Sequence, residues 1–269
     1  MADDAIRIRD MQSDDEYYVS TCSHVNESEE ADACAEKRRT LFRSLRADGA
    51  RFKVALLEGA PAGFAYGLPI DVASWGPLGA DLMVVPCLYV PRAFAGRGIG
   101  TRLLDAIEAD ARSAGFDGLT INAYRDIPGA EWFMPAAYFE PLGYQVVNER
   151  GREVLLWKPF GDAAQPPRFL QADYVFEPVS GRVVVDLFWN GFCPTSAIEA
   201  QRVRDVCSEY GDRVVLREYD AEDRETLLRY QIPRAIYVDG QEIRWGYEAP
   251  KDGIRDAIDR ALDRTTRSN

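Results

Sequence analysis

Glycines recur at every second position in Ala95-Gly96-Arg97-Gly98-Ile99-Gly100, directly after an apolar, β-prone run from Leu82 to Val90. A turn at Pro91 and Arg92 separates the run from the glycines. A helix is expected from Thr101 to about Ser113, with Gly115 as its C-cap. Glycines at a strand-to-helix junction expose backbone N–H groups, and the helix start adds the positive end of its dipole. Such a junction cradles phosphate. The N-terminal half is therefore expected to bind a phosphorylated small molecule or cofactor.

Sulfur is the other chemistry-bearing element. The five cysteines are Cys22, Cys34, Cys87, Cys193 and Cys207, an odd number whose spacings match no zinc motif. His24 is the only histidine, which excludes a Ser-His-Asp triad and any multi-histidine metal centre. Nothing in the spacing gathers Cys22, His24, Cys34 and Cys87 into one site, so no metal is expected. Cys193 stands apart, because Val183 to Phe188 leads into Trp189-Asn190-Gly191-Phe192-Cys193-Pro194-Thr195-Ser196 and then a helix. A cysteine at a helix start gains thiolate character.

The elements that must position these groups follow from periodicity and turn residues. Ile6 to Arg9 alternates as an edge strand, and Ser13 to Leu45 is helical but broken, with Asn26 and Ser28 as loop and cap. Phe52 to Leu57 and Ala62 to Leu68 pair across the turn Glu58-Gly59-Ala60-Pro61. Ile70 to Ala80 is mostly loop. Leu119 to Ala123 is a core strand, a short helix at Ala136 and Ala137 ends at Leu142-Gly143, and Tyr144 to Asn148 with Glu153 to Lys158 closes a hairpin.

Residues 1–160 thus form an α+β domain around a mainly antiparallel sheet. Residues 161–181 read as a proline-containing linker and lead-in. From 182 to 263 the order is strand, helix (Thr195 to Tyr210), strand (Arg213 to Tyr219) and helix (Arg224 to Arg229). A strand (Ala235 to Val238), an Asp239-Gly240 turn, a strand (Gln241 to Trp245) and a helix (Lys251 to Asp263) complete this smaller α/β domain. Residues 264–269 are a tail.

The first domain, from about Ile6 to Pro159, resembles the GCN5-related N-acetyltransferase (GNAT) family. The family motif Gln/Arg-x-x-Gly-x-Gly/Ala falls on Ala95 to Gly100, with Ala95 in place of the leading Gln or Arg. Tyr138-Phe139-Glu140-Pro141-Leu142-Gly143-Tyr144 resembles the family's Tyr-x-x-x-Gly-Phe ending. The resemblance implies that acetyl-CoA is the cofactor. It implies that the backbone of Leu88, Tyr89 and Val90 pairs with the pantetheine arm, and that Arg97, Gly98, Ile99, Gly100, Thr101 and Arg102 contact the pyrophosphate. The family tyrosine that protonates the leaving thiolate aligns with Phe139. That leaves Tyr138 as either a displaced acid or a packing residue. The position of a frequent glutamate base falls near Val84, with Asp81 and His24 as weaker candidates. Cys87 precedes the cofactor strand, and Cys22 lies in the acceptor-side helical region. Each is a catalytic candidate or a small buried hydrophobe.

The second domain looks like a thioredoxin fold. Its features are the strand before Cys193, Gln231-Ile232-Pro233-Arg234-Ala235-Ile236 as the entry carrying a cis-proline, and the Asp-Gly hairpin. Ser196 stands where the resolving cysteine belongs, so Cys193 is a single-thiol redox candidate beside Ser196 and Pro233. Together the two domains resemble bacterial GNAT proteins with a C-terminal YoaP-like domain.

The 269 residues are 46% hydrophobic and carry a net charge of −12. That balance argues against nucleic acid as a partner, no run approaches a membrane span, and the start lacks a signal pattern. The expectation is a cytoplasmic N-acetyltransferase acting on a small-molecule amine, with its oligomeric state open. The alternatives are a monothiol redox or sensing protein and a noncatalytic acyl-CoA-binding module.

Overall fold

The computed structural model describes residues 6–22, 28–125, 134–245 and 247–267. The chain divides into two compact units. The first comprises Met1–Glu27 and Arg39–Leu170, and the second Ser28–Arg38 and Gln171–Asn269.

In the first unit, β1 (Ile6–Asp10) pairs antiparallel with β2 (Arg51–Leu57), which pairs with β3 (Ala60–Pro69). Helices α1 (Glu16–Thr21) and α2 (Glu29–Ala47) intervene between the first two strands. The expected long strand from Leu82 to Val90 is two short ones, β4 (Leu82–Val84) and β5 (Leu88–Tyr89). Pro86 and Pro91, which lack the amide donor a ladder needs, bracket β5. Helix α3 (Ile99–Ser113) starts two residues earlier than expected, behind Gly98 in a left-handed conformation (φ 76°). Then come β6 (Gly118–Tyr124), α4 (Ala136–Phe139), β7 (Gln145–Arg150) and β8 (Glu153–Pro159). The sheet order is β1-β2-β3-β4-β6-β8-β7, with β4 and β6 parallel and β5 attached to β3.

Alternation assigns the two faces. Leu119, Ile121 and Ala123 of β6 meet Leu103, Leu104, Ile107 and Ala111 of α3 in a buried cluster. An aromatic stack lies elsewhere in the unit: Phe42 of α2 stacks on Phe52 (4.5 Å between centroids), Phe64 stacks on Tyr66 (5.0 Å), and the Tyr66 hydroxyl donates to Val19 O (2.6 Å). Glu16 anchors α1 to α2 through Arg43 and Arg39.

The expected linker is partly ordered structure of the first unit. Phe160 N donates to Asp117 O (2.8 Å), and Leu78 and Arg168 exchange both backbone hydrogen bonds. Phe169 and Leu170 are buried, and the Arg150 guanidinium lies over the Phe169 ring (4.9 Å). The aromatic side chains after Pro159 supply anchoring that a proline count does not register.

The second unit holds β9 (Val183–Trp189), α5 (Pro194–Ser208), β10 (Val214–Asp220) and α6 (Arg224–Tyr230). It continues with β11 (Ala235–Val238), β12 (Gln241–Ile243) and α7 (Lys251–Arg267). Its sheet order is β10-β9-β11-β12, with β9 and β10 parallel and the other pairs antiparallel. Val183, Val185 and Leu187 pack on Ala200, Val203 and Val206 of α5 and on Ile254 and Ile258 of α7. Asp239 (φ 48°) and Gly240 (φ 73°) make the expected hairpin turn. The start of α2 also belongs here: Ala31 and Cys34 pack on Ile198, and buried Arg38 donates from Nε to Phe192 O (2.8 Å).

The expected cis-proline at Pro233 is absent, since no cis peptide bond occurs among the described residues. The loop is held by a side chain, with Asn190 Nδ2 donating to Pro233 O (2.8 Å). Among the described residues no helix is long and apolar enough to cross a membrane.

Candidate functional site

The parallel pairing of β4 with β6 runs from Leu82↔Gly118 to Val84↔Thr120 and ends with Val85 N donating to Thr120 O (2.9 Å). Beyond Pro86 the strands part. β5 turns to β3, with Phe64↔Tyr89 and Ala65↔Leu88 in register, while β6 continues to Tyr124 paired with β8. Among the described residues no pairing joins β5 to β6. The sheet pairing therefore opens between β5 and β6, beside half-buried Leu88, Tyr89 and Val90.

The chain leaves β5 through a short turn at Arg92–Phe94 and enters α3. Gly96 (φ 74°) and Gly98 (φ 76°) take left-handed conformations that a side chain disfavours. No side chain caps the first turn of α3, so its leading amides and dipole face outward beside β5. Ile99 buries its side chain in the core and contributes only backbone. Arg97 is exposed. Arg102 reaches the other way and donates to Ile6 O (3.0 Å), so at this position the side chain supports β1.

Tyr138 and Phe139 separate cleanly. Phe139 is fully buried among Leu103, Ile121 and Tyr144. Tyr138 is half-buried and brings its hydroxyl to the start of α3, 3.4 Å from Thr101 Oγ1. A Cβ on Gly100 would lie 2.5 Å from that hydroxyl, so glycine is what admits the tyrosine. Burial raises the Tyr138 phenol above its ordinary value, against a lowering contribution from Thr101. Alignment with the family puts Phe139 at the acid position and turns Tyr138 away from it, whereas here Tyr138 lies beside the start of α3 and Phe139 packs into the core.

Cys22 and Cys87 come together, with their sulfurs 3.9 Å apart. Cys34 does not join them. It belongs to the second unit, 3.9 Å from Pro194 O, and burial with a contribution from Cys193 pushes its thiol up to about 11. His24 and Asn26 lie outside the described residues. Among the described residues no group of three or more ligating side chains could hold a metal. Val84 is buried, and Asp81 is an exposed turn residue (φ 55°) before β4, at the end away from the opening.

Two polar groups carry no motif signal. The Tyr18 hydroxyl and Asn122 Oδ1 are buried without a hydrogen-bond partner. Tyr18 packs edge-on against Phe64 (5.7 Å), and burial, then Tyr89 and Cys22, push its phenol well up. Asn122 is a half-buried amide among the mostly apolar residues of β6.

In the second unit, Cys193 is the N-cap of α5, and Pro194 opens the helix. Buried Asn190 organises the loop: its Oδ1 accepts from Cys193 N (2.8 Å), and its own N donates to Ser196 Oγ (3.0 Å). Cys207 is buried with its thiol pushed up to about 12.

The Acetyltransferase (GNAT) family model matches residues 8–127. The chain is similar to the Bacillus subtilis protein described as uncharacterized N-acetyltransferase YoaP, at 24% identity over 196 residues, covering 71% of this chain and 73% of that one. Among solved structures it resembles the PaiA N-acetyltransferase of Thermoplasma acidophilum in complex with coenzyme A. That likeness is 16% identity over 58% of this chain and 99% of the other, with a TM-score of 0.41. It also resembles a GNAT family acetyltransferase of Brucella melitensis in complex with acetyl-CoA, at 20% identity over 61% of this chain and 92% of the other, with a TM-score of 0.40. Residues 8–127 are thus similar to an acetyltransferase domain of the GNAT family.

Proposed function

We propose that the first unit transfers the acetyl group of acetyl-CoA to a small soluble amine in the cytoplasm. The observation that carries this reading is the convergence of three features: the open edge of β5, the uncapped glycine turn into α3, and the Tyr138 hydroxyl beside Gly100. Acetyl-CoA supplies an activated thioester. In this reading the backbone of Leu88–Val90 pairs with its pantetheine arm, and the amides of Gly98 to Thr101 hold the pyrophosphate. The same strand's N–H groups polarise the carbonyl as the amine attacks. Tyr138 donates its proton to the thiolate as the C–S bond breaks, and burial keeps the phenol protonated for that task. With no carboxylate at Val84, the amine arrives neutral or loses its proton to water.

The second unit reads as a thioredoxin-like module. The βαβαββα order and the β10-β9-β11-β12 sheet support this. Ser196 Oγ, bound to Asn190 N, occupies the place of a second thiol, so a dithiol cycle within Cys193–Ser196 is not part of the reading.

The test is an acceptor library with acetyl-CoA and the full chain, reading released thiol and acetylated product by mass spectrometry, beside calorimetric titration of acetyl-CoA. Binding with product from an amine is expected. Binding without any product would reduce the unit to an acyl-CoA-binding module, and no binding would remove the reading.

A further inference from the structure

We propose that Cys22 and Cys87 are an oxidisable pair, closing to a disulfide when the protein meets peroxide and thereby shutting the acceptor side of the cleft. The two residues lie 65 positions apart in sequence, yet their sulfurs are 3.9 Å apart within one unit. A disulfide bond is about 2.0 Å long, so each sulfur travels about 1 Å to close it. Cys22 is the C-cap of α1, and Cys87 lies between β4 and β5, after Pro86.

Two further observations favour this pair. Cys22 is a non-glycine residue in a positive-φ conformation (φ 57°), a strained backbone of the kind held at functional sites. Both thiols are half-buried and reachable by a small oxidant, whereas Cys34 and Cys207 are buried and held protonated.

The chemistry balances with one peroxide per pair. One thiol, as its thiolate, attacks the peroxide O–O bond and becomes a sulfenic acid. The departing hydroxide takes up that thiol's proton and leaves as water. The second thiol attacks the sulfenic sulfur, the S–S bond forms, the S–O bond breaks and a second water leaves. The two sulfurs together lose two electrons, and the peroxide oxygens gain them. Cys87 directly precedes Leu88, so the bond would pin the end of α1 to the coenzyme strand. The closure, unlike the bond, rests on the acetyl-transfer reading.

The experiment treats the full chain with equimolar hydrogen peroxide, quenches with an alkylating agent and maps the cysteines by mass spectrometry without reduction. A linked Cys22–Cys87 peptide, lighter by two hydrogens, is expected ahead of modification at Cys34 and Cys207. Acetyl transfer is lost on oxidation and returns with dithiothreitol. In Cys22→Ser and in Cys87→Ser the linked peptide disappears, and the ratio of rates after and before peroxide stays near one. A sulfinic acid at either residue, or a bond to another cysteine instead, overturns the pair. A Cys22–Cys87 bond with an unchanged rate ratio overturns the closure. If the reduced protein neither binds acetyl-CoA nor transfers acetyl groups, the functional reading fails and the closure with it, while the bond is still decided by its mass.

Discussion

Between β5 and α3 the chain turns through glycines and enters a helix whose first turn no side chain caps. Between β9 and α5 it turns through Asn190-Gly191-Phe192-Cys193 into another helix whose first turn likewise has no side-chain cap, and there the loop amides ahead of the helix are taken internally. Asn190 Oδ1 takes the Cys193 amide, Ser196 Oγ takes the Asn190 amide, and Glu222 takes the Gly191 amide. The local plan, strand then tight turn then helix, is the same in both units. One junction is built from Gly96 and Gly98 in left-handed conformations, and the other ties its loop amides to its own side chains. The difference lies in the loop and not in the helix start. A glycine-rich loop brings few side chains that could accept from its own amides, and a loop with a buried asparagine supplies them.

Gly98→Asp should weaken this contrast most. It places a carboxylate at the open junction, where repulsion from pyrophosphate at a few ångströms is on the order of 4 kcal/mol. Affinity for acetyl-CoA should fall roughly 100- to 1000-fold by isothermal titration, and an unchanged affinity would show that the junction receives no phosphate. Tyr138→Phe sharpens the same side of the comparison. A positioned acid supplies about 100-fold or more, so kcat should fall by about that factor with acetyl-CoA affinity unaltered. Because burial raises the phenol above its ordinary value of 10.0, the Tyr138-dependent rate should hold through neutral pH and decline only above that value. A loss below about tenfold would return Tyr138 to packing. The smallest effect is expected from Asn190→Ala, which strands the Cys193 amide and the Pro233 carbonyl. The cost is about 2 kcal/mol, read as faster hydrogen exchange in β9 and β11, with acetyl-CoA binding in the first unit unchanged. Exchange identical to the parent protein would mean the second junction is not held by its own asparagine.

What was legible in the sequence was local. The glycines after Val90, the Asp239-Gly240 turn and the alternating strands act on neighbours a few positions away, so spacing alone locates them. The proximity of Cys22 to Cys87 depends on how α1 meets the β4–β5 break, which no periodicity encodes. The prolines of residues 161–181 read as a linker, yet Phe169 there and Phe160 just before it anchor the chain by contacts with Arg150 and Arg112. Tyr138 stayed ambiguous because α4 has a single turn, and its phase is set by where Phe139 finds core. Asn190 gave no motif at all, because its three bonds are made to backbone and hydroxyl groups that only the folded loop assembles.

The division of α2 bears on how the protein is made. Ser28–Arg38 leaves the ribosome with the first unit's residues but packs in the second. At about 5–20 residues per second, roughly ten seconds or more of synthesis separate Arg38 from the Phe192 carbonyl that receives its guanidinium. During that interval Ala31 and Cys34 face water, and Arg38, 1% exposed in the finished protein, has no interior to enter. The second unit therefore completes its core only near the end of translation. A gene fragment cut anywhere between the two sheets would carry this strip of helix on the wrong side of the cut.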